Sequence, residues 1–222
     1  MGRGRSHIFM LSILRDLWWK FWFPWSRNIV GQIRPLRISI CPENRLAECE
    51  RLYLQNIPHG LPADHFIDFS STLRSGSLLV LLVESEDRLV GTFSLNRCKE
   101  NGVVSLCYVL VDPEHHRSGI GTTMFFASVA LLSLWESNVI LAITALPGTE
   151  PFYRRLGFLR TGEMLLPDGL MVELAVLYVW PHMSRNCRKW LVKGGAHLPE
   201  SGYEIPTTTH LQPDSATLTE QH

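Results

Sequence analysis

The residues of this chain best placed to do chemistry form a short polar turn, Arg117-Ser118-Gly119-Ile120-Gly121-Thr122. An apolar, β-branched segment (103–112) precedes the turn, and apolar residues at helical spacing follow it. The first amides of a helix have no partner within that helix, and the helix dipole places partial positive charge there. Glycines in such a turn let an anion approach the backbone closely. The turn is therefore predicted to bind a phosphate or pyrophosphate, with further donors from His116, Arg117, Thr122 and Thr123.

Two other phosphate-binding motifs can be compared with the same residues. A dinucleotide-binding fingerprint requires a third glycine three residues after the second, and Met124 occupies that place. A P-loop requires Gly-Lys-Ser/Thr, and this turn contains no lysine. The remaining alternative is a glycine turn that serves only the packing of the following helix.

Two blocks of the sequence resemble the GNAT acetyltransferase superfamily. The first, YVLVDPEHHRSGIGTTM, is similar to the family's acetyl-CoA signature, a Gln/Arg-x-x-Gly-x-Gly/Ala loop after a hydrophobic strand and a proline. The second, ALPGTEPFYRRLGF (145–158), is similar to the closing motif in which a short helix carries a tyrosine ahead of Leu-Gly-Phe. The resemblance covers residues 34–180 and implies an α/β fold of the GNAT type, with a mixed, mostly antiparallel sheet flanked by helices.

The resemblance also implies that acetyl-CoA binds as a co-substrate, without a metal. Its diphosphate would lie on the amides from Arg117 to Thr122, and its pantetheine arm would run along the backbone of Val109, Leu110 and Val111. In this family that strand separates from the next one, here 139–146, at a bulge that leaves a gap for the thioester. The candidate cofactor-binding residues are Val109, Leu110, Val111, His116, Arg117, Ser118, Gly119, Ile120, Gly121 and Thr122.

Tyr153 matches the tyrosine that often protonates the departing thiolate in this family, and a strand amide near Val109 would stabilise the oxyanion. The alternative role for Tyr153 is to pack, or to hold the CoA sulfur in place. No cysteine lies near a motif in a way that suggests a covalent intermediate. The predicted reaction is therefore direct transfer of an acetyl group to an amine through a tetrahedral intermediate.

The sequence departs from the family pattern in two places. His116 occupies the position of the usual Gln or Arg, and the strands 103–111 and 139–146 carry no carboxylate for the usual glutamate base. No base is assigned among the candidates Glu84, His65 and Glu173. These departures support a second hypothesis, a non-catalytic acyl-CoA-binding module tethered to a membrane or partner.

The acceptor is predicted to be an amine on a small molecule or a protein. The resemblance implies that it contacts the helices between 42 and 75 and the turn 165–170. The charged residues there are of mixed sign and indicate no preferred acceptor: Asp64, His65, Asp68, Arg74 and Asp168.

The elements that position these residues follow from periodicity and turn signals. Helices are predicted after Pro42, after Pro62 and from the glycine turn to about Ser137, with a short helix PFYRRLG closed by Gly157. Predicted strands are 34–40, 78–84, 89–98, 103–112, 139–146, FLRTGEMLL and GLMVELAVLYVW, the last two joined at Pro167-Asp168-Gly169. Consecutive strands without helices indicate a mostly antiparallel sheet with one parallel crossover.

The composition excludes several functional classes. The 21 basic and 21 acidic residues cancel, which argues against a nucleic-acid partner. The 5 cysteines are scattered without a CxxC pair, which predicts neither a zinc site nor a disulfide framework and favours a reduced, cytoplasmic setting. Cys107, inside an apolar strand, is predicted to be a buried small hydrophobic residue.

The two ends of the chain differ from its centre. Within residues 1–30, the stretch 8–25 is rich in Trp, Phe and Leu, but charges interrupt it too early for a secretory signal or a membrane span. As a helix it would make a peripheral membrane contact, or pack on its own domain or on the second subunit of a homodimer. A start codon upstream of the real protein is a further alternative. At the other end, 181–195 is a basic segment, and 196–222 is predicted to be a disordered tail.

Overall fold

The computed structural model describes residues 35–98, 103–132, 138–200 and 203–208. The predictions for residues 1–30, including the aromatic stretch 8–25, lie outside the described residues. Residues 209–222 of the predicted tail also lie outside them. In the part of the chain that is described, no helix is long and apolar enough to cross a membrane.

The described residues form an eight-stranded sheet in the order β1-β2-β3-β4-β5-β7-β6, with β8 paired to β3. Neighbouring strands are antiparallel except for the pairs β4–β5 and β3–β8. The predicted α/β class and the mostly antiparallel sheet with a parallel crossover are therefore confirmed. The strands are β1 (Arg37–Ile40), β2 (Leu79–Ser85), β3 (Arg88–Cys98), β4 (Val104–Val111), β5 (Val139–Ala145), β6 (Leu159–Leu165), β7 (Met171–Val179) and β8 (Thr207–Thr208).

Helices cover both faces of this sheet. On one face, residues of the first two helices pack with Val80 and Leu82 of β2. On the other face, residues of the third and fifth helices pack with Leu81 and Val83 of the same strand. Alternate residues of a strand point to opposite faces, so β2 is apolar along its length because both of its faces are buried. The helices are α1 (Leu46–Asn56), α2 (Phe66–Arg74), α3 (Ile120–Leu131), α4 (Glu150–Arg155) and α5 (Pro181–Lys193).

The segment predicted as basic, 181–195, contributes to the core. It forms α5, whose Met183, Cys187 and Leu191 are buried while its basic side chains Arg185, Arg188 and Lys189 are exposed. The helix packs against α3, which is buried on every side.

Part of the predicted tail is also packed on the domain. Tyr203 is buried and its hydroxyl donates a hydrogen bond to Leu131 O at 3.0 Å, while β8 pairs with β3. The composition of 196–222 predicted disorder because the segment has few apolar residues. Within 196–200 and 203–208, main-chain pairing and a few apolar side chains provide the contacts with the domain: Ala196, Leu198, Tyr203 and Ile205.

Candidate active site

The gap expected between two neighbouring strands is present between β4 and β5. These strands pair only at Val104–Leu141 and Ser105–Ala142. Farther along, the register of β4 against β3 shifts between Thr92 and Ser94, because β4 holds one extra residue there. Tyr108, at this bulge, has a φ of 48°, which is uncommon for a residue with a side chain. The rest of β4 is thereby separated from β5.

The gap opens into a cleft of about 1450 Å³. This volume exceeds the roughly 300–1,000 Å³ of common small-molecule sites, and it leaves room for two substrates side by side. We call the part beside the glycine turn, β4 and α4 the donor end. The part formed by α1, α2 and their connection, by Tyr108 of β4 and by β6 and β7 with the turn between them is the acceptor end. The acceptor end is lined by Tyr53, His65, Ser71, Thr72, Tyr108 and Met164, among others.

The glycine turn has a backbone suited to an anion. Arg117 and Gly119 have φ values of 63° and 90°, and the first helical hydrogen bond of α3 runs from Thr123 N to Gly119 O at 3.0 Å. Within the described residues, the amides of Arg117 and of Gly119–Thr122 donate to no protein acceptor. Successive free amides at a helix N-terminus form a site for a phosphate group.

The steric requirement for glycine differs between the two glycines of the turn. Gly119 lies in the left-handed region, where a side chain is strained. A Cβ added at Gly121 would meet Phe152 Cζ at 3.5 Å, which is an ordinary van der Waals contact. The protein therefore tolerates a larger residue at position 121, and close approach of a ligand is the reason left for a glycine there.

Three of the predicted cofactor-binding residues have polar groups engaged within the protein. The amides of His116 and Ser118 donate to Pro113 O and His115 O, both at 3.3 Å. His116 Nε2 also donates to Asn56 Oδ1 at 3.3 Å and to Val111 O at 3.2 Å. Asn56 Nδ2 donates to the same Val111 carbonyl at 3.0 Å. His116 thus ties the turn to α1, a contact that no sequence signal indicated.

Tyr153 lines the cleft from α4 and packs edge-on against Phe152 and Phe158, at ring centroid distances of 5.1 and 5.6 Å. Burial raises the pKa of Tyr153 to about 12, and Cys107 contributes to the same effect. The phenol is therefore protonated at neutral pH and can donate its proton.

Cys107 is only partly buried and lines the same cleft, which corrects the prediction of a buried hydrophobic residue. Burial of its thiol raises the pKa of Cys107 to about 12. Because the thiolate is the reactive form, a thiol that stays protonated at neutral pH is a poor nucleophile. Its position therefore gives no support for a covalent intermediate.

Two of the three candidate bases do not line the cleft. Glu84 is buried in ion pairs with Arg37 Nε at 3.0 Å and Arg45 Nη1 at 2.8 Å. Glu173 is buried below α4, where Arg154 Nη2 lies 2.5 Å from its Oε2. The ion pairs of Glu84 join β2 to β1 and to the residue before α1, and the ion pair of Glu173 joins β7 to α4.

The third candidate, His65, lines the acceptor end of the cleft. Its Nε2 lies 2.7 Å from Oδ2 of Asp168, in the turn between β6 and β7. Tyr53 and Tyr108 flank the same space, and Tyr53 Oη donates to Pro62 O at 2.8 Å. Among the described residues no group of His, Cys, Asp and Glu is arranged to hold a metal ion.

Comparisons with known proteins agree with this geometry. Residues 64–172 match the family model described as an acetyltransferase (GNAT) domain. A search of curated proteins finds none that matches this chain significantly.

Solved structures share the fold at low sequence identity. The ribosomal-protein-S18-alanine N-acetyltransferase from Escherichia coli is 16% identical, with a TM-score of 0.51 over 65% of this chain and 94% of that chain. A GCN5-related N-acetyltransferase from Rhodopseudomonas palustris is 15% identical, with a TM-score of 0.53 over 64% and 94% of the two chains. Ard1 from Thermoplasma volcanium is 13% identical, with a TM-score of 0.52 over 65% and 98%.

The matched family model spans α2, the glycine turn, Tyr153 and the β6–β7 turn, and the solved structures share the sheet and helices around them. The predicted family, fold class and acyltransferase class are therefore confirmed. This chain carries an acetyltransferase domain of the GNAT superfamily.

Proposed function

We propose that this protein is an N-acetyltransferase that moves an acetyl group from acetyl-CoA to an amine by direct attack. The observation that carries the proposal is the connection of the free amides of the glycine turn, through the gap between β4 and β5, to Tyr153. One end of this path suits a diphosphate, and the other end offers a protonated phenol.

The donor would bind mainly through main-chain groups. Its diphosphate would accept hydrogen bonds from the amides of Arg117 and Gly119–Thr122, with the exposed Arg117 side chain beside them. Its pantetheine arm would follow β4 on the side that faces away from β3. The carbonyl of Val111 already accepts hydrogen bonds from Asn56 and His116, so Val109 and Leu110 are the better partners on this strand.

The reaction needs a neutral amine, an oxyanion donor and a proton for the leaving thiolate. The amine nitrogen attacks the thioester carbonyl, and a β4 amide near Val109 would stabilise the resulting oxyanion. As the carbon–sulfur bond breaks, Tyr153 donates its proton to the sulfur and recovers one from the acylated nitrogen. The raised pKa of Tyr153 keeps the phenol protonated before the step.

A non-catalytic acyl-CoA-binding module is the second candidate function. It is favoured by the absence of Asp and Glu side chains among the described residues that line the cleft. The peripheral membrane contact through residues 8–25 and the homodimer stay predictions, since those residues lie outside the described part of the chain.

The test is calorimetric titration of the full chain with acetyl-CoA, followed by thiol release in the presence of a panel of small amines and peptides. Binding together with acceptor-dependent thiol release is the expected result and would identify the acceptor class. Binding without thiol release across the panel would favour the binding module. Absence of binding would contradict both candidates.

A further inference from the structure

The pair formed by His65 and Asp168 joins two separate parts of the acceptor end. His65 ends the short 3-10 helix Ala63–His65 that leads into α2, whereas Asp168 belongs to the β6–β7 turn. The side chains are 27% and 26% exposed, so the pair is partly shielded from solvent, and its His65 lines the cleft. Leu166 N donates to Leu170 O at 2.8 Å, which holds the turn that presents Asp168.

Asp168 is in its ionised form under ordinary conditions. The backbone amide of Leu170 donates to Asp168 Oδ1 at 3.0 Å and, together with nearby His65, lowers the pKa of this carboxyl group. A ring nitrogen 2.7 Å from an ionised carboxylate oxygen carries its proton. Nε2 of His65 is therefore the protonated nitrogen.

The other nitrogen of His65 is then the basic one. In a neutral imidazole with its proton on Nε2, Nδ1 has the free lone pair. No hydrogen bond from the described residues occupies Nδ1, and it is not among the buried polar atoms that lack a partner. Nδ1 is therefore solvent-accessible, on a ring that lines the acceptor end.

We propose that His65 is the general base of the acetyl transfer and that Asp168 is its positioning residue. The inference rests on the function proposed above and assigns a role which that proposal leaves open. Nδ1 takes one proton from the acceptor ammonium, and the neutral nitrogen then attacks the thioester. The carbon–nitrogen bond forms, the carbon–sulfur bond breaks, and CoA leaves as a thiol. Tyr153 supplies the thiol proton and regains one from the new amide nitrogen, and Nδ1 returns its proton to solvent.

The other histidines of the cleft are placed less well for this role, and one of them, His59, packs edge-on against His116 with a ring centroid distance of 5.6 Å. His116 donates its Nε2 proton to Asn56 and Val111 at the donor end. His115 Nδ1 is buried without a hydrogen-bond partner and lies 3.7 Å from Asp112. Of the histidines lining the cleft, His65 is the one paired to a carboxylate at the acceptor end.

Other titratable groups surround His65 and bear on its pH dependence. Two carboxylates lie on its own segment, and two phenols face the same space from α1 and β4. Asp68 interacts electrostatically with both phenols. The groups are Asp64, Asp68, Tyr53, Tyr108 and Asp168.

The kinetic test compares wild type with His65→Gln, using the panel amine with the fastest turnover. Loss of a general base lowers kcat by about 10²- to 10⁴-fold. The wild-type profile of kcat/KM falls toward acid pH as the base becomes protonated, and His65→Gln removes that fall. An aromatic amine, which is neutral at pH 7, should lose much less activity than an ammonium of similar size. An equal loss with both amines, or an unchanged profile, would overturn the assignment.

The positioning role has its own readout. In the wild type, ¹⁵N NMR spectra of the His65 ring should show a protonated Nε2 and an unprotonated Nδ1. The variant Asp168→Asn should show a mixture of the two tautomers. It should also have a lower kcat and an unchanged affinity for acetyl-CoA. Asp87→Asn serves as the matched control, because it removes an exposed carboxylate that also has a basic partner, Arg37 at 2.8 Å, but lies outside the cleft. A protonated Nδ1 in the wild type, or an Asp168→Asn variant that behaves like the control, would overturn the proposal. If the wild type itself released no thiol, the proposed function would fail, while the spectra would still decide the His65–Asp168 pair.

Discussion

The two ends of the cleft are built from different parts of the chain. The donor end consists mainly of backbone amides on one continuous strand-turn-helix unit, β4 to α3. The acceptor end consists of side chains that come from α1, α2, β4 and the β6–β7 turn. Main-chain amides bind a phosphate whichever side chains surround them, whereas side chains determine which acceptor fits. Changes at the donor end should therefore affect acetyl-CoA binding, and changes at the acceptor end should affect the second substrate.

The largest effect is expected from Gly119→Glu, which places bulk and negative charge where the diphosphate would lie. Binding of acetyl-CoA should become undetectable by calorimetry. Gly76→Glu is the matched control, because Gly76 also has a positive φ, of 70°, has open space where a Cβ would lie, and does not itself line the cleft, although its neighbours Ser75 and Ser77 do. Similar strain in the two variants separates a binding effect from a folding effect. Retained affinity in Gly119→Glu would remove the argument for the glycine turn.

Tyr153→Phe should lower kcat by about 10²-fold or more, because it removes the proton donor while keeping the ring that packs on Phe152 and Phe158. Acetyl-CoA affinity should change little. A variant with full kcat would show that Tyr153 only packs or positions the sulfur.

The same tyrosine predicts an alkaline loss of stability. Its folded pKa, about 12, lies above the value near 10 of an unfolded tyrosine. The unfolded chain therefore loses the proton first as pH rises, and the free energy of unfolding should fall between about pH 10 and 12. Denaturant titrations across this range should show a smaller fall in Tyr153→Phe, and an identical fall in both proteins would contradict the burial of this phenol.

Gly121→Ala should show whether ligand binding or the packing of the protein itself requires a glycine at position 121. The added Cβ makes only an ordinary contact with Phe152, so thermal stability should be kept or slightly raised. Affinity for acetyl-CoA should fall about tenfold, which corresponds to about 1.4 kcal/mol. A loss of stability with unchanged affinity would reverse this interpretation.

The smallest effect is expected from Thr72→Val at the acceptor end, where Thr72 hydrogen-bonds Tyr108. Loss of a hydrogen bond worth about 1 kcal/mol corresponds to a change of about fivefold in the acceptor KM. Acetyl-CoA affinity should be unchanged, as measured by calorimetry. A change confined to acetyl-CoA affinity would show that the two ends are not separate in function.

Local patterns in the sequence correctly predicted the strand, the turn and the helix that form the donor end. The strand, the glycine turn and the helix are neighbours in the chain, so residues 103–132 carry their own signals of periodicity and turn formation. The acceptor end carries no such signal, since His65 and Asp168 lie in different predicted elements. The sequence does not distinguish Glu84 and Glu173 from His65 as candidate bases. The structure does, because both glutamates are buried in ion pairs.

Alone, the sequence determined the order of helices and strands from β1 to β7, the resemblance to the family and the position of the glycine turn, because the signals for these lie in residues close together in the chain. The tertiary structure decided which side chains meet across the cleft: His116 with Asn56, and His65 with Asp168. It also decided that α5 and Tyr203 pack against α3 and that Cys107 faces the cleft. The physical reason is that these contacts join residues far apart in the chain, which only the packing of the sheet and its helices brings together.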